Sequence, residues 1–226
     1  MDVLVYNNAA NTMERYALGL DSPMPYNRDG TLTVREFRGS SQAHTIWTTT
    51  KTMQSYNKLR EAWGRPIHVG YAFKRIWEGG HAPQSQHYAG TALDMGQNLT
   101  NDQRSALRNL AIQSGQWTYV EPASLTPTWV HVSAQYGTPA CPTGGFPLLR
   151  QGMRNTYVLV LQDALNALGY PAGALDGVFG QRTRQAVLHY QRASGLSADG
   201  IVGCGTWTRL TSAARGIGRT AGVVQP

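Results

Sequence analysis

The pattern Asp-Gly-x-x-Gly-x-x-Thr stands twice in the last third of the chain, at residues 176–183 and again 23 residues later at 199–206. An Asp-Gly pair favours a tight turn, because the aspartate bonds to nearby backbone and the glycine accepts positive φ. Thr183 and Thr206 then fall near helix starts, where a hydroxyl can cap exposed amides. Apolar residues flank the repeat at helical steps: Val158, Leu161, Leu165 and Leu168 before it, and Ala186, Val187 and Tyr190 between its copies. Turns feeding helices in this order predict a compact three-helix unit over residues 148–212, followed by a basic tail at 213–226.

Charge agrees with a separate C-terminal unit. Residues 148–226 hold eight Arg against three Asp, most of the chain's net +7. Such an excess favours a polyanionic partner. No helix-turn-helix, RNP-type or zinc-finger pattern points to nucleic acid, and the carboxylates and phosphodiesters of a bacterial wall are the other candidate.

Residues 138–147 (TPACPTGGFP) have the Pro/Gly-rich composition of a domain linker. The part before it, residues 1–137, is predicted to be α+β with a small antiparallel sheet. Alternation predicts a strand at 31–37 and another at 66–73. Helices are predicted at about 47–63, carrying Met53, Tyr56, Leu59 and Trp63, and at about 101–115, with Asp102 in its first turn and Leu107, Leu110 and Ala111 as its buried stripe. Cys141 and Cys204 are too few for a disulfide framework and lack metal-ligand spacing, so both are expected as free thiols, with a single bridge tying the linker to the C-terminal unit as the alternative. No apolar run approaches the roughly 18 residues that would span a bilayer. Nor does the chain open on a basic segment followed by an apolar one, so export calls for another route, such as release on lysis or loading into a spore, or else the chain is already processed.

Chemistry concentrates in two segments of the first part, SQHYAGTALDMG at 85–96 and TWVHV at 128–132. After His87, Gly90 permits a turn, and residues 91–95 follow as a strand whose alternation puts Ala92 and Asp94 on one face and Leu93 and Met95 in the core. The same rule puts Trp129 and His131 on one face, with Val130 and Val132 behind. Neighbouring strands can thus present Asp94 and His131 side by side. Two imidazoles and a carboxylate leave one position of a tetrahedral zinc ion open, as in catalytic rather than structural sites.

The residues Ser85, His87, Gly90, Ala92 and Asp94, followed by Trp129 and His131, resemble the zinc D-Ala-D-Ala carboxypeptidase and dipeptidase family, over roughly residues 30–136. The resemblance implies Zn2+ held by His87, Asp94 and His131. Residues 149–210 resemble the peptidoglycan-binding domain found beside many wall hydrolases, with Cys204 where that pattern carries proline. That implies peptidoglycan as the partner and the cell wall, or the space outside the cell, as the place of action.

Two departures bear on catalysis. The family carries an acidic residue three positions before its final His, where this chain has Thr128; Glu121, the nearest upstream carboxylate, is then the candidate base, brought in by the loop 122–127 folding back. The family also carries an Arg after a Gly-Tyr pair, where it stabilises the oxyanion or holds the substrate carboxylate; this chain has Ala72 there, and Arg75 or Lys74 is then the candidate substitute, charge near the oxyanion being a large catalytic term. Tyr71, Ser85 and Trp129 are expected on the substrate side, and His81 at the cleft margin. The combined expectation is a monomeric zinc peptidase of stem peptides, most simply a D-Ala-D-Ala carboxypeptidase. A stem-peptide endopeptidase and a non-catalytic wall binder are the alternatives.

Overall fold

A computed structural model describes residues 1–218, so the end of the basic tail, including Arg219, lies outside the described residues. The chain is α+β. It opens with strands β1 (Asp2–Asn7) and β2 (Thr12–Ala17), then helix α1 (Val34–Arg38), strand β3 (Thr45–Thr49) and helix α2 (Thr50–Trp63). Strand β1 is central in a three-stranded sheet, antiparallel to β2 and parallel to β3.

A second sheet carries the chemistry. It is built from β4 (Val69–Tyr71), β5 (Ala92–Met95), β6 (Tyr119–Val120) and β7 (Val130–Ser133), in the antiparallel order β4-β5-β7-β6. Helix α3 (Asn101–Gln113) lies between β5 and β6 in sequence and starts with a capping box of Thr100 and Gln103. Its Leu107 and Ala111 are buried, while Leu110 is only half-buried. Among the described residues no helix is long and apolar enough to cross a membrane.

The predicted strand at 31–37 is instead the entry to α1. Thr33 Oγ1 accepts the Glu36 N–H, and the Glu36 carboxylate accepts the Thr33 N–H. This reciprocal pair fixes a helix start, and Val34 and Phe37, three apart, are both fully buried. Alternation of Leu32 and Val34 was the misleading signal; Thr-x-x-Glu was the better one.

Residues 138–147 form a hairpin of β8 (Pro139–Cys141) and β9 (Gly144–Pro147) rather than an open linker. Helices α4 (Thr156–Ala167), α5 (Gln181–Ala193) and α6 (Cys204–Ala214) complete the chain. Cys141 and Cys204 are not free thiols. They form a disulfide with Cα atoms 4.8 Å apart that joins the hairpin to the start of α6.

The repeat organises this helical part around two buried glutamines. Gln162 Nε2 donates to Asp176 Oδ1, the Val178 carbonyl and Thr183 Oγ1, and its Oε1 accepts the Gly177 N–H. Gln191 repeats the set with Asp199, Ile201, Thr206 and Gly200. Thr183 and Thr206 therefore do not cap the helices. They sit at the third helical position and complete these clusters, while Gly180 and Gly203 occupy the cap positions without a side-chain bond. Phe179 and Val202, one from each repeat, fill the core.

Helix α4 has no exposed face from Thr156 to Leu165. One side packs on α5 and α6, the other on β3 and the 3-10 turn Ile76–Glu78 of the first part, so both parts share one apolar core. Within that junction Arg75, 1% exposed, forms a paired hydrogen bond with Asp163 of α4, 0% exposed, its Nε 2.8 Å from Oδ2. Its guanidinium also lies over the rings of Trp47 and Trp77.

Candidate metal centre

Strand pairing sets the site. Asp94 lies directly opposite His131 in the β5–β7 ladder, and Tyr71 lies opposite Asp94 in the β4–β5 ladder. Directly opposed residues share a face of the sheet. Past the end of β6 the Glu121 N–H donates to the His131 carbonyl at 3.0 Å. Tyr71, Asp94, His131 and Glu121 thus form one row across the sheet. Glu121 arrives by this pairing; the loop at 122–127 is not what folds it in.

His87 enters from the turn before β5. That turn depends on Gly90, whose φ is +66° and whose Cβ, if present, would collide with the Trp47 carbonyl of β3. The close approach is sealed by Trp47 Nε1 donating to the Tyr88 carbonyl at 2.9 Å and Thr48 Oγ1 donating to the Gly90 carbonyl at 2.8 Å. His87 Nδ1 meets the Ala72 carbonyl at 2.9 Å, which orients the ring so that Nε2 points at Asp94 Oδ2, 3.4 Å away. His131 Nδ1 is 2.6 Å from Asp94 Oδ1. One donor atom from each of the three lies within 4.8 Å of the others.

This donor set fits a zinc ion. Two imidazole nitrogens and a carboxylate oxygen are its usual partners, and a ligating histidine ordinarily gives its other ring nitrogen to a carbonyl, as His87 does. Burial pushes the Asp94 carboxyl upward, but hydrogen bonds from His131 and His87 and their nearby charge outweigh burial and hold it well below the usual carboxylate range. It is therefore a ready anionic donor.

The three donors sit in a cleft of about 460 Å³ whose walls include His81, Ser85, Tyr119, Glu121 and Trp129. Trp117, by contrast, is core. Tyr71 packs its ring on His81 and edge-on to His87, at 4.5 and 5.0 Å between centroids. Thr128 is exposed. Arg75 is corrected as a site residue, since its guanidinium is consumed by Asp163 in the buried junction and does not line the cleft. Lys74 lies over the Tyr71 ring at 5.9 Å, outside the lining.

Two contributors escaped the sequence reading. Arg108 of α3 donates to the carbonyls of Glu121, Thr126 and Trp129, fixing the backbone that carries the base candidate and one cleft wall. An arginine beside Leu107 on the buried side of α3 was the available signal. The other is the C-terminal half itself. Gln86 Oε1 accepts from Tyr157 of α4 at 2.9 Å, and Gln84 Oε1 accepts from the Phe146 N–H of β9 at 2.9 Å, so the segment leading into His87 is held from outside its own sheet.

Residues 26–133, which contain all three donors, match the family model of Peptidase M15, and residues 154–210 match that of a peptidoglycan binding domain. The chain joins a peptidase M15 domain to a peptidoglycan-binding domain. An uncharacterized protein in the bpoA1 3' region of Kitasatospora aureofaciens is 43% identical over 28% of this chain and 55% of its own length. The N-acetylmuramoyl-L-alanine amidase CwlM of Mycobacterium tuberculosis is 50% identical over 20% of this chain and 11% of its own length. A protein of Bacillus licheniformis named "Probable N-acetylmuramoyl-L-alanine amidase" is 36% identical over 37% of this chain and 24% of its own length. The chain thus spans little more than half of the first of these relatives and a quarter or less of the other two. The peptidase domain holds the donor cleft, and the peptidoglycan-binding domain supplies α4, α5 and α6.

Proposed function

We propose that the chain is a zinc-dependent peptidase that hydrolyses an amide bond in the stem peptides of bacterial peptidoglycan, acting at the wall. The observation that carries this reading is the alignment of Asp94, His131 and Glu121 in one row of the sheet, with His87 converging on it. A zinc ion there supplies Lewis acidity toward a carbonyl and toward water. Glu121 takes the proton of the attacking water and delivers it to the leaving amine. Trp129 and Tyr119 form the wall along which the peptide lies, and Ser85 holds the turn ahead of His87, its Oγ 3.4 Å from the His87 N–H.

Cleft charge favours an internal bond over a terminal D-Ala-D-Ala bond. A carboxypeptidase must receive a free carboxylate, and among the described residues lining this cleft there are two carboxylates, Asp94 and Glu121, and no Lys or Arg. Arg75 is paired with Asp163 and Lys74 lies outside the lining, so neither candidate cation faces the cleft to receive such a carboxylate.

Digestion of purified sacculi followed by mass spectrometry of the products tests both levels. Shortened or separated stems support the endopeptidase, and loss of terminal D-Ala alone restores the carboxypeptidase. Stems released whole from the glycan indicate amidase chemistry, as in the names of the two relatives. No products indicate a wall binder.

A further inference from the structure

We propose that His81 is a substrate-contacting residue whose imidazole donates a hydrogen bond to the carbonyl oxygen of the scissile amide. The assignment rests on the peptidase reading above.

His81 belongs to a Gly79-Gly80 loop yet is held like a core residue. Its N–H donates to Tyr88 Oη at 3.1 Å, Tyr88 Oη donates back to the His81 carbonyl at 3.2 Å, and Arg215 Nη1 donates to the same carbonyl at 3.0 Å. The Tyr88 side chain that clamps it is fully buried. The ring lies against Tyr71 on one side and His87 on another, at 4.5 and 4.6 Å between centroids. Among the described residues, no hydrogen bond from the protein engages either ring nitrogen. His81 also stands outside the three-donor cluster. A fixed backbone carrying an imidazole with its nitrogens unspent, on the wall of a cleft, is a preorganised contact for something that enters the cleft.

Its position within the site selects the role. The row across the sheet runs Tyr71, Asp94, His131, Glu121, with the base candidate at one end; His81 rests on Tyr71 at the other. With water deprotonated at the Glu121 end and added to the carbonyl carbon over the donors, the far end of the row, where Tyr71 and His81 stand, is left for the carbonyl oxygen. Negative charge developing on that oxygen is stabilised further by a positioned donor beside the metal, and no Lys or Arg among the described residues lines the cleft to serve. An imidazole offers a ring N–H in either protonation state.

The test uses the full chain loaded with zinc, comparing wild type with His81→Ala and His81→Gln on a stem peptide that wild type cleaves. For His81→Ala the expected result is a kcat lower by about 10²–10³, KM within roughly threefold, and zinc content and thermal unfolding as in wild type. His81→Gln, which restores an N–H donor, is expected to recover part of kcat. A phosphinate analogue of the tetrahedral state should lose affinity for His81→Ala in parallel with kcat, while an uncleaved peptide does not. Wild-type turnover by His81→Ala overturns the assignment, as does loss of zinc or of folding in both variants, which would make His81 structural. A wild-type protein that neither holds zinc nor cleaves stems overturns the peptidase reading itself, a result that is visible before any variant is made.

Discussion

Glu121 donates its backbone N–H to the carbonyl of His131 at 3.0 Å, so the candidate base and a candidate ligand are neighbours across a ladder rather than across a loop. Their separation is then set by strand spacing, which mutation of the exposed loop residues cannot change. Glu121→Gln keeps the side-chain volume and removes the proton acceptor. The expected outcome is a kcat lower by about 10²–10⁴ with zinc content unchanged, measured by stem-peptide turnover and metal analysis.

Zinc itself is open to direct assay. Chelation should abolish turnover, and added zinc should restore it. His131→Ala and Asp94→Ala should each purify with far less metal than wild type, because each removes one of the three donors gathered among the described residues. Equal metal in wild type and His131→Ala would end the mechanism.

Arg108 acts on the site through the backbone carbonyls of Glu121, Thr126 and Trp129, with a further bond to Thr126 Oγ1. Arg108→Lys keeps the charge but cannot reproduce the fork, so turnover is expected to fall about tenfold or more, with zinc retained. A wild-type rate in this variant would show that the loop holds its place without it.

At the domain junction, Arg75→Ala strands Asp163 in a fully buried position. Removing one partner of a buried pair costs about 3–5 kcal/mol, and the change should appear as a lowered midpoint in chemical or thermal denaturation. Replacing both partners with apolar residues, Arg75→Met with Asp163→Leu, should recover much of the loss.

The disulfide closes a span of 63 residues. In the chain-entropy account a loop of that size contributes about 4 kcal/mol. Reduction, or Cys141→Ser with Cys204→Ser, is therefore expected to lower stability by 2–4 kcal/mol. Denaturation with and without reductant measures it.

Elements defined by period or by repeat were legible in the sequence: α3, α4 and α5 follow their apolar stripes, and β5 and β7 follow their alternation. The convergence of His87, Asp94 and His131 was legible as residue types but not as distances, because pairing of β5 with β7 brings together positions 37 apart. What escaped was information carried by partners far away in sequence. Arg75 cannot be told from a site cation until Asp163, 88 residues on, is seen beside it. Cys141 cannot be paired until the hairpin is seen folded onto α6. Three residues of period-2 pattern likewise could not outweigh one capping box at Thr33.

Helix α4 is enclosed from both sides, by its own bundle and by the domain that bears the donors. A helix so placed belongs to two neighbours at once. Exchanging the C-terminal module for that of another wall protein would therefore replace half of the floor beneath the peptidase, and a chimera that ignores Tyr157 and Asp163 should yield an enzyme that fails before it ever meets its polymer.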